Sequence, residues 1–273
     1  MKLSKEERAG WNKEQKRHYK KYGVPLKINE STDIAKSDIA VKENYIVLCV
    51  RFGYRYGRDY VERLRNMVSR NLTLPYEFVC LTDDKIPIEG VRTLHQNNSS
   101  YNKQWWHKVH MFDPGLEING RILYFDLDVV IHDSIDKLFT NYDQEFLGIR
   151  DFNRKFHPNW KYLNSSVMSW THGTQSKIYQ DFKKDPSTAM RMHGDQDWIW
   201  RQSRNTLVFW PESWIQSYKW EIRSREELVE RSGKKGFKSQ WDHYPDKECS
   251  VAVFHGDPKP NELIDRYVVE NWR

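Results

Sequence analysis

The sequence predicts an α/β protein in which a mixed, mainly parallel central sheet is flanked by helices, built as a single domain over residues 44–273 with a basic, polar extension over residues 1–43. Three observations predict it. Tyr45 to Val50 and Tyr76 to Leu81 are short apolar runs of buried-strand character, and between them Arg58 to Asn71 carries Tyr60, Leu64, Met67 and Val68 at helical spacing. Strand, helix, strand in that order makes a right-handed βαβ unit and so a parallel pair. Further on, Arg121-Ile122-Leu123-Tyr124-Phe125-Asp126-Leu127-Asp128-Val129-Val130-Ile131 reads as a buried strand with two carboxylates set into its end. Burying them unpaired would be costly, so they require a partner.

Residues 1–43 are charged and poor in aliphatics, with Gly23-Val24-Pro25 and the stretch from Glu30 to Asp38 as breakers, which predicts a partly helical or flexible arm. The loop Arg51 to Gly57 follows the first strand, and the turn Thr82-Asp83-Asp84 follows the second. In parallel sheets ligands sit outside the carboxyl ends of the strands, so both are candidates for a nucleotide pocket, with Phe52 or Tyr54 to stack on a base and Asp84 beside them. Either aromatic could equally plug its own loop. Val91 to Leu94 is a weak strand. Tyr101 to Phe112 reads as a helix with Trp105, Val109 and Phe112 on its apolar stripe and Lys108 close to it. A lysine so placed snorkels to water or meets an anion such as a phosphate. His107 and His110 flank the stripe as surface or edge groups.

An extended Asp126-Leu127-Asp128 would project both carboxylates to one side and Leu127 to the other. Such a pair suits Mg²⁺ or Mn²⁺, which take carboxylate oxygens and bridge to a substrate's phosphates. The plainer alternative has the acids capping the next turn, where Asp133 and Ser134 open a short helix through Phe139. Glu145 to Ile149 is another strand, followed by an aromatic and basic loop through Trp160. Asn164, Ser165 and Ser166 then stand just before a strand that ends near Trp170. Asn164 both donates and accepts, as recognition of sugar hydroxyls requires, unless it serves only a turn. Thr174 to Lys184 reads as a helix. His193 to Trp200 begins another, whose Asp195, Gln196 and Asp197 either complement the helix dipole or face a substrate. Leu207 to Trp210 is a short strand, the Trp-, Tyr- and Lys-rich stretch to Trp241 looks irregular, and Ser250 to Phe254 is the last strand. It runs into His255-Gly256-Asp257-Pro258-Lys259-Pro260, which has the parts for a third metal ligand and a phosphate contact.

Composition narrows the function classes. The net charge is +6, but residues 1–27 hold nine lysines and arginines against three glutamates and the rest balances. Nucleic acid is therefore not an expected partner except through the basic arm. Cys49, Cys80 and Cys249 form no C-x-x-C pair, which predicts free thiols and a reducing, cytoplasmic setting. No apolar stretch reaches the length of a membrane span, and the first residues are too polar for a signal peptide. The 12 tryptophans and an aromatic content of 14% supply flat faces on which sugar rings and bases stack.

The Asp126-Leu127-Asp128 strand end, the Asn164-Ser165-Ser166 turn, the Asp195-Gln196-Asp197 helix start and the late His255-Gly256-x-x-Lys259 together resemble the nucleotide-sugar glycosyltransferases of the GT-A (Rossmann-like) fold. In order and approximate spacing they look most like family 8, the glycogenins and bacterial lipopolysaccharide galactosyltransferases. The resemblance implies a hexosyl transfer with retained configuration from a nucleoside-diphosphate sugar, UDP-linked, to a glycan, protein or lipid-linked acceptor. It implies Asp126, Asp128 and His255 as ligands of Mn²⁺ or Mg²⁺. Lys108 and Lys259, with Leu127, Asn164, Ser165 and Gly256, would contact the donor, and Asp195 and Gln196 would lie around the transferred sugar. One departure is visible: the family spaces its late motif as His-x-x-Gly-x-x-Lys, whereas here Gly256 follows His255 at once.

Two other classes compete. Phe125 to Val130 also resembles the first motif of haloacid-dehalogenase-like phosphohydrolases, with Asp126 as nucleophile and Asp128 as acid/base, but strand and helix material precedes it and His255 would have no role. A non-catalytic module binding a glycan or nucleic acid through the arm and the aromatics leaves Asp126, Asp128 and His255 unexplained.

Overall fold

A computed structural model describes Lys20 and residues 44–97, 101, 103–141, 146–223 and 245–273. The extension expected over residues 1–43 lies outside the described residues apart from Lys20, as do Glu145 and most of the stretch expected to be irregular. The described strands and helices from Tyr45 onward belong to the unit Glu43–Arg273. Strands β1 (Tyr45–Arg51), β2 (Tyr76–Thr82), β3 (Arg92–His95), β4 (Arg121–Phe125), β6 (Phe146–Arg150), β7 (Leu163–Thr171) and β8 (Leu207–Phe209) form a seven-stranded sheet in the order β3-β2-β1-β4-β7-β6-β8. A smaller sheet has the order β5-β10-β9, from β5 (Val129–Ile131), β9 (Ile215–Ser217) and β10 (Val251–Val253). Within the larger sheet β7 runs antiparallel to both β4 and β6, and every other pairing is parallel. This is the mixed, mainly parallel α/β architecture that the sequence predicts.

Alternation along β1 divides the core into two layers. Val47 and Cys49 face one side of the sheet, where they join α1 (Arg58–Asn71) through Val61, Leu64, Met67 and Val68 and meet the smaller sheet at Val129, Ile131, Val251 and Val253. Ile46 and Leu48 face the other, where they meet Trp106, Val109, Phe112 and the helices α2 (Ser176–Lys184) and α3 (Asp195–Ser203). Strands buried on both faces read as unbroken apolar runs, which is why β1, β2 and β4 are legible in the sequence. Cys49, Cys80 and Cys249 are buried and free.

The structure departs from the sequence reading at five places. Asn164, Ser165 and Ser166, expected as a turn just before a strand, lie within β7 because Asn164 pairs with Ile149 of β6. The run Arg121 to Ile131 is not one strand: β4 stops at Phe125 and β5 starts at Val129 in the other sheet, so Asp126-Leu127-Asp128 is a bridge between sheets. Gln104–Phe112 is a 3₁₀ helix, in which side chains three apart eclipse. Its inward row is Trp106, Val109 and Phe112, so Trp106 is 1% exposed while Trp105, expected in the stripe, is 38% exposed. His107, expected at the surface, is fully buried and stacks on Phe52 with ring centroids 4.1 Å apart. Within the stretch expected to be irregular, Ile215–Ser217 pairs with Val251–Val253 as β9, and a π-helical turn follows at Tyr218–Ile222. The short helix expected from Asp133 starts only at Lys137; Asp133 instead accepts a 2.7 Å hydrogen bond from the Ser134 amide.

Gly120 sets the entry into β4. Its φ of +137° lies in glycine territory, and a Cβ there would overlap the carbonyl oxygen of Asn44, which accepts a 2.8 Å hydrogen bond from Arg121 N. Gly120→Ala is therefore expected to lower the unfolding free energy by at least about 2 kcal/mol; a urea melt with an unchanged midpoint would contradict the assignment.

Candidate active site

The bridge between the sheets organises the site. Asp126 N donates to Ser166 O at 2.8 Å, extending the β4–β7 pairing by one residue, and Asp128 O accepts from Phe254 N at 3.0 Å, extending β5–β10. Leu127, 2% exposed, anchors the turn in the core. Each aspartate is thus tied to a different sheet, and the chain after β10, from His255 to Lys259, is brought beside β4.

Around Asp126 lies a buried charge network. Lys108 Nζ donates to Asp126 Oδ1 at 2.7 Å and to Ser165 Oγ at 3.0 Å, and lies 3.6 Å from Asp195 Oδ2. The 3₁₀ geometry places Lys108 three residues after Trp105, on the row that faces the cavity rather than the core. Tyr124 OH donates to Asp126 Oδ1 at 2.6 Å. Burial by itself would raise the Asp126 carboxyl, but Lys108 and the hydroxyls of Tyr124 and Ser166 hold it below the ordinary carboxylate range. Burial likewise opposes charge on Lys108, yet Asp126 and Asp195 outweigh it and raise its pKa. Asp195 goes the other way: burial pushes its carboxyl up, and the neighbouring Asp126 adds to that against the pull of Lys108.

Asp128 has its own pair of donors. Tyr56 OH donates to Asp128 Oδ2 at 2.9 Å, and Lys259 Nζ forms an ion pair with the same oxygen while donating to Phe254 O at 3.1 Å. Burial, then Asp128, raise the pKa of Tyr56 and keep it a hydrogen-bond donor. His255 stacks on Phe152 with centroids 5.0 Å apart, and its Nε2 lies 2.7 Å from Ser217 Oγ. Burial, reinforced by Lys219, Lys259 and Arg154, lowers its pKa to about 3, so the imidazole is neutral at physiological pH.

The wall opposite comes from β7 and α3. The β6–β7 register slips between Gly148 and Ile149, leaving Ser165 to Val167 without a β6 partner and turning the serines towards the cavity. Ser165 N donates to Gln196 Oε1 at 3.2 Å, Gln196 Nε2 to Asp151 Oδ2 at 3.2 Å, and Ser166 N to Asn164 Oδ1 at 3.1 Å. The cavity is an open cleft of about 550 Å³, within the range of small-molecule sites.

Most of the residues that the sequence singled out line this one cavity: Phe52, Lys108, Asp126, Leu127, Asp128, Asn164, Ser165, Asp195, Gln196, His255, Gly256 and Lys259. Three stand elsewhere. Tyr54 is fully exposed, Asp197 is not in the lining, and Asp84 is held by Arg51 at 3.0 Å and Arg58 at 2.9 Å. Phe52 lines the cavity but gives its ring face to His107. Sequence reasoning missed Tyr124 and Tyr56. Tyr124 shares the strand face of Asp126 two residues on, and the spacing could have found it; Tyr56 reaches Asp128 only through folding.

Among the described residues no group of three or more His, Cys, Asp or Glu side chains is gathered closely enough to hold a metal ion. Asp126 and Asp128 each bear a lysine ammonium instead. Of the residues that line the cavity, Asp126, Asp128 and His255 are of the donor types that a hard divalent cation takes, and the Lys259 ammonium stands against Asp128 where such a charge would go.

No protein-family model and no curated protein matches the sequence. Solved structures match its fold. The galactosyltransferase LgtC in complex with donor and acceptor sugar analogues superposes with a TM-score of 0.55 over 82% of this chain and 94% of that one, at 11% identity. The chain has the GT-A glycosyltransferase fold. The glycosyltransferase GlyE of Streptococcus pneumoniae TIGR4 gives a TM-score of 0.56 at 14% identity, covering 84% of this chain but only 62% of GlyE. At these identities the likeness is one of fold. No helix among the described residues is long and apolar enough to cross a membrane.

Replacing Lys108 by Met would leave Asp126 and Asp195 without their shared cation, and is expected to destabilise the fold by about 3 kcal/mol in urea melts at pH 7. A second expectation concerns acid. The folded state refuses the proton on His255 that an unfolded chain accepts near pH 6.5, and His110 and His132, both lowered to about 4 chiefly by burial, behave alike. The contribution of these three histidines to stability is therefore complete above about pH 6.5 and declines as pH falls from there, against a smaller opposite contribution from Asp265, which burial raises to about 6. The melting temperature should drop between pH 7 and pH 5, and His255→Gln should drop less over the same interval; parallel losses would refute the role given to His255.

Proposed function

We propose that the protein is a metal-dependent glycosyltransferase that moves a sugar from a nucleoside-diphosphate sugar, UDP-linked, to a glycan, protein or lipid-linked acceptor. The observation that carries the reading is the convergence on one cavity of four separate sequence motifs: Asp126 and Asp128 between the sheets, Asn164 and Ser165 on the bulged strand, Asp195 and Gln196 at a helix start, and His255 with Lys259 after β10. A hexosyl donor and retention of configuration are carried over from the family resemblance.

Breaking a sugar–phosphate bond leaves negative charge on the departing diphosphate, and fixed cations in a low-dielectric site stabilise that charge as it grows. Lys259 lies where it can exchange Asp128 for a phosphate oxygen, and Lys108 holds Asp126 and Ser165 in place while presenting positive charge to the same cavity. Asp126, Asp128 and His255 would hold Mn²⁺ or Mg²⁺, and the ion would supply Lewis-acid neutralisation of the diphosphate. Gln196, bonded at both ends of its amide, is a positioning group on the wall facing the aspartates. Asp195 sits within ion-pair reach of Lys108 and takes a 3.3 Å hydrogen bond from Ser165 Oγ, so it orders the same wall. The phosphohydrolase alternative needs Asp126 as nucleophile, yet its Oδ1 is occupied by both Lys108 and Tyr124.

A screen of nucleoside diphosphates with and without Mn²⁺ tests the reading. Stabilisation should require both nucleotide and metal and approach about 2.7 kcal/mol at a hundredfold excess over Kd, and it should vanish in Asp126→Ala. Sugar transfer or donor hydrolysis should fall at least about a hundredfold in Asp128→Asn; turnover of phosphate esters with no response to nucleotide sugars would sink the proposal.

A further inference from the structure

The π-helical turn after β9 holds one lysine in an unusual position. Ser217 caps the turn by accepting from Trp220 N at 3.2 Å, and Ser217 N donates to Glu221 Oε2 at 2.8 Å, so the backbone that carries Lys219 is fixed at both sides. Lys219 is half-buried. Its Nζ lies 5.2 Å from the Trp220 ring centroid and 2.8 Å from the point a Cβ on Gly256 would occupy. Gly256, at φ +72°, lines the cavity and has no side chain to keep that ammonium away.

Two cations that act on the same end of the site are committed. Arg154 is paired with Glu212 and Glu221, and Lys259 with Asp128. Among the described residues Lys219 makes no hydrogen bond or ion pair with an acid; the exposed Asp257 acts on it only from a distance. Burial and the charge of Lys259 disfavour its ammonium. A half-buried cation that feels a second cation's charge is unfavourable until an anion joins them.

We propose that Lys219 is a second cationic contact for the donor's diphosphate, joining Lys259 over Gly256 at the end of the cavity nearest His255. The inference rests on the donor being a nucleoside-diphosphate sugar, as proposed above, and adds a residue that none of the sequence motifs contains. A charge-assisted contact of this kind should govern affinity for the diphosphate and leave the nucleoside alone.

The test compares wild type, Lys219→Met and Lys219→Arg by calorimetry with uridine, guanosine, cytidine, adenosine and thymidine diphosphates in Mn²⁺, each beside its parent nucleoside. For the diphosphate that wild type binds, Lys219→Met should weaken binding at least about tenfold, Lys219→Arg should recover most of the loss, and nucleoside binding should be unchanged. The melting temperature of ligand-free Lys219→Met should equal or exceed that of wild type, because a purely structural lysine would lower it. Wild-type affinity for the diphosphate in Lys219→Met would overturn the role of Lys219 while leaving the glycosyltransferase reading intact. Failure of the wild-type protein to bind any of the diphosphates would overturn both.

Discussion

The structure depends on three residues, Asp126, Leu127 and Asp128, that leave one sheet and enter another. The Asp126 amide completes a bond to β7, the Asp128 carbonyl completes one to the residue after β10, and Leu127 is buried between them. Had the chain continued as one straight strand, the carboxylates would stand on one face of one sheet and the segment His255 to Lys259 would have no reason to be near. The turn instead makes the two aspartates the seam along which the larger and smaller sheets close. Two negative charges at such a seam would be prohibitively placed without partners, and the fold answers with Lys108 from one side and Lys259 from the other.

That answer fixes the electrostatic character of the cavity. Asp126 is kept ionised by Lys108 and two hydroxyl groups, Asp195 is pushed towards its neutral form by burial, and His255 is kept neutral by burial and by the cations around it. Shifted ionisable groups gathered in one cavity mark it as a candidate functional site. The lysines on the aspartates are exchangeable contacts in a sense the backbone bonds are not. Under the proposed reading, a diphosphate would draw Lys259 off Asp128 and a divalent cation would take its place there, so that an anionic donor and its metal would enter together.

Much of this was legible in the sequence, and for physical reasons. Strands buried on both faces must be apolar throughout, so β1, β2 and β4 announce themselves, and α1 carries its helical stripe between them. The carboxylates, the Asn-Ser-Ser stretch, the Asp-Gln-Asp helix start and the late histidine could be named because polar groups interrupt patterns that nothing local required to be interrupted, although Asn164 to Ser166 prove to be strand rather than turn. Elements whose stability comes from distant partners were not legible. The three residues of β9 are a strand only because β10 lies beside them, and the 3₁₀ winding that exchanges Trp105 for Trp106 in the core leaves the amphipathic pattern almost unchanged.

The sequence by itself determined which residue types were available and that two aspartates in an apolar run needed partners. Tertiary structure alone decided which partners those were, placed Tyr56 on Asp128, drew Asp84 away into arginine pairs and set Lys219 beside Gly256. The reason is distance along the chain. Local backbone preference acts over a few residues, whereas Asp128 and Lys259 are 131 residues apart and meet only because two sheets share a seam.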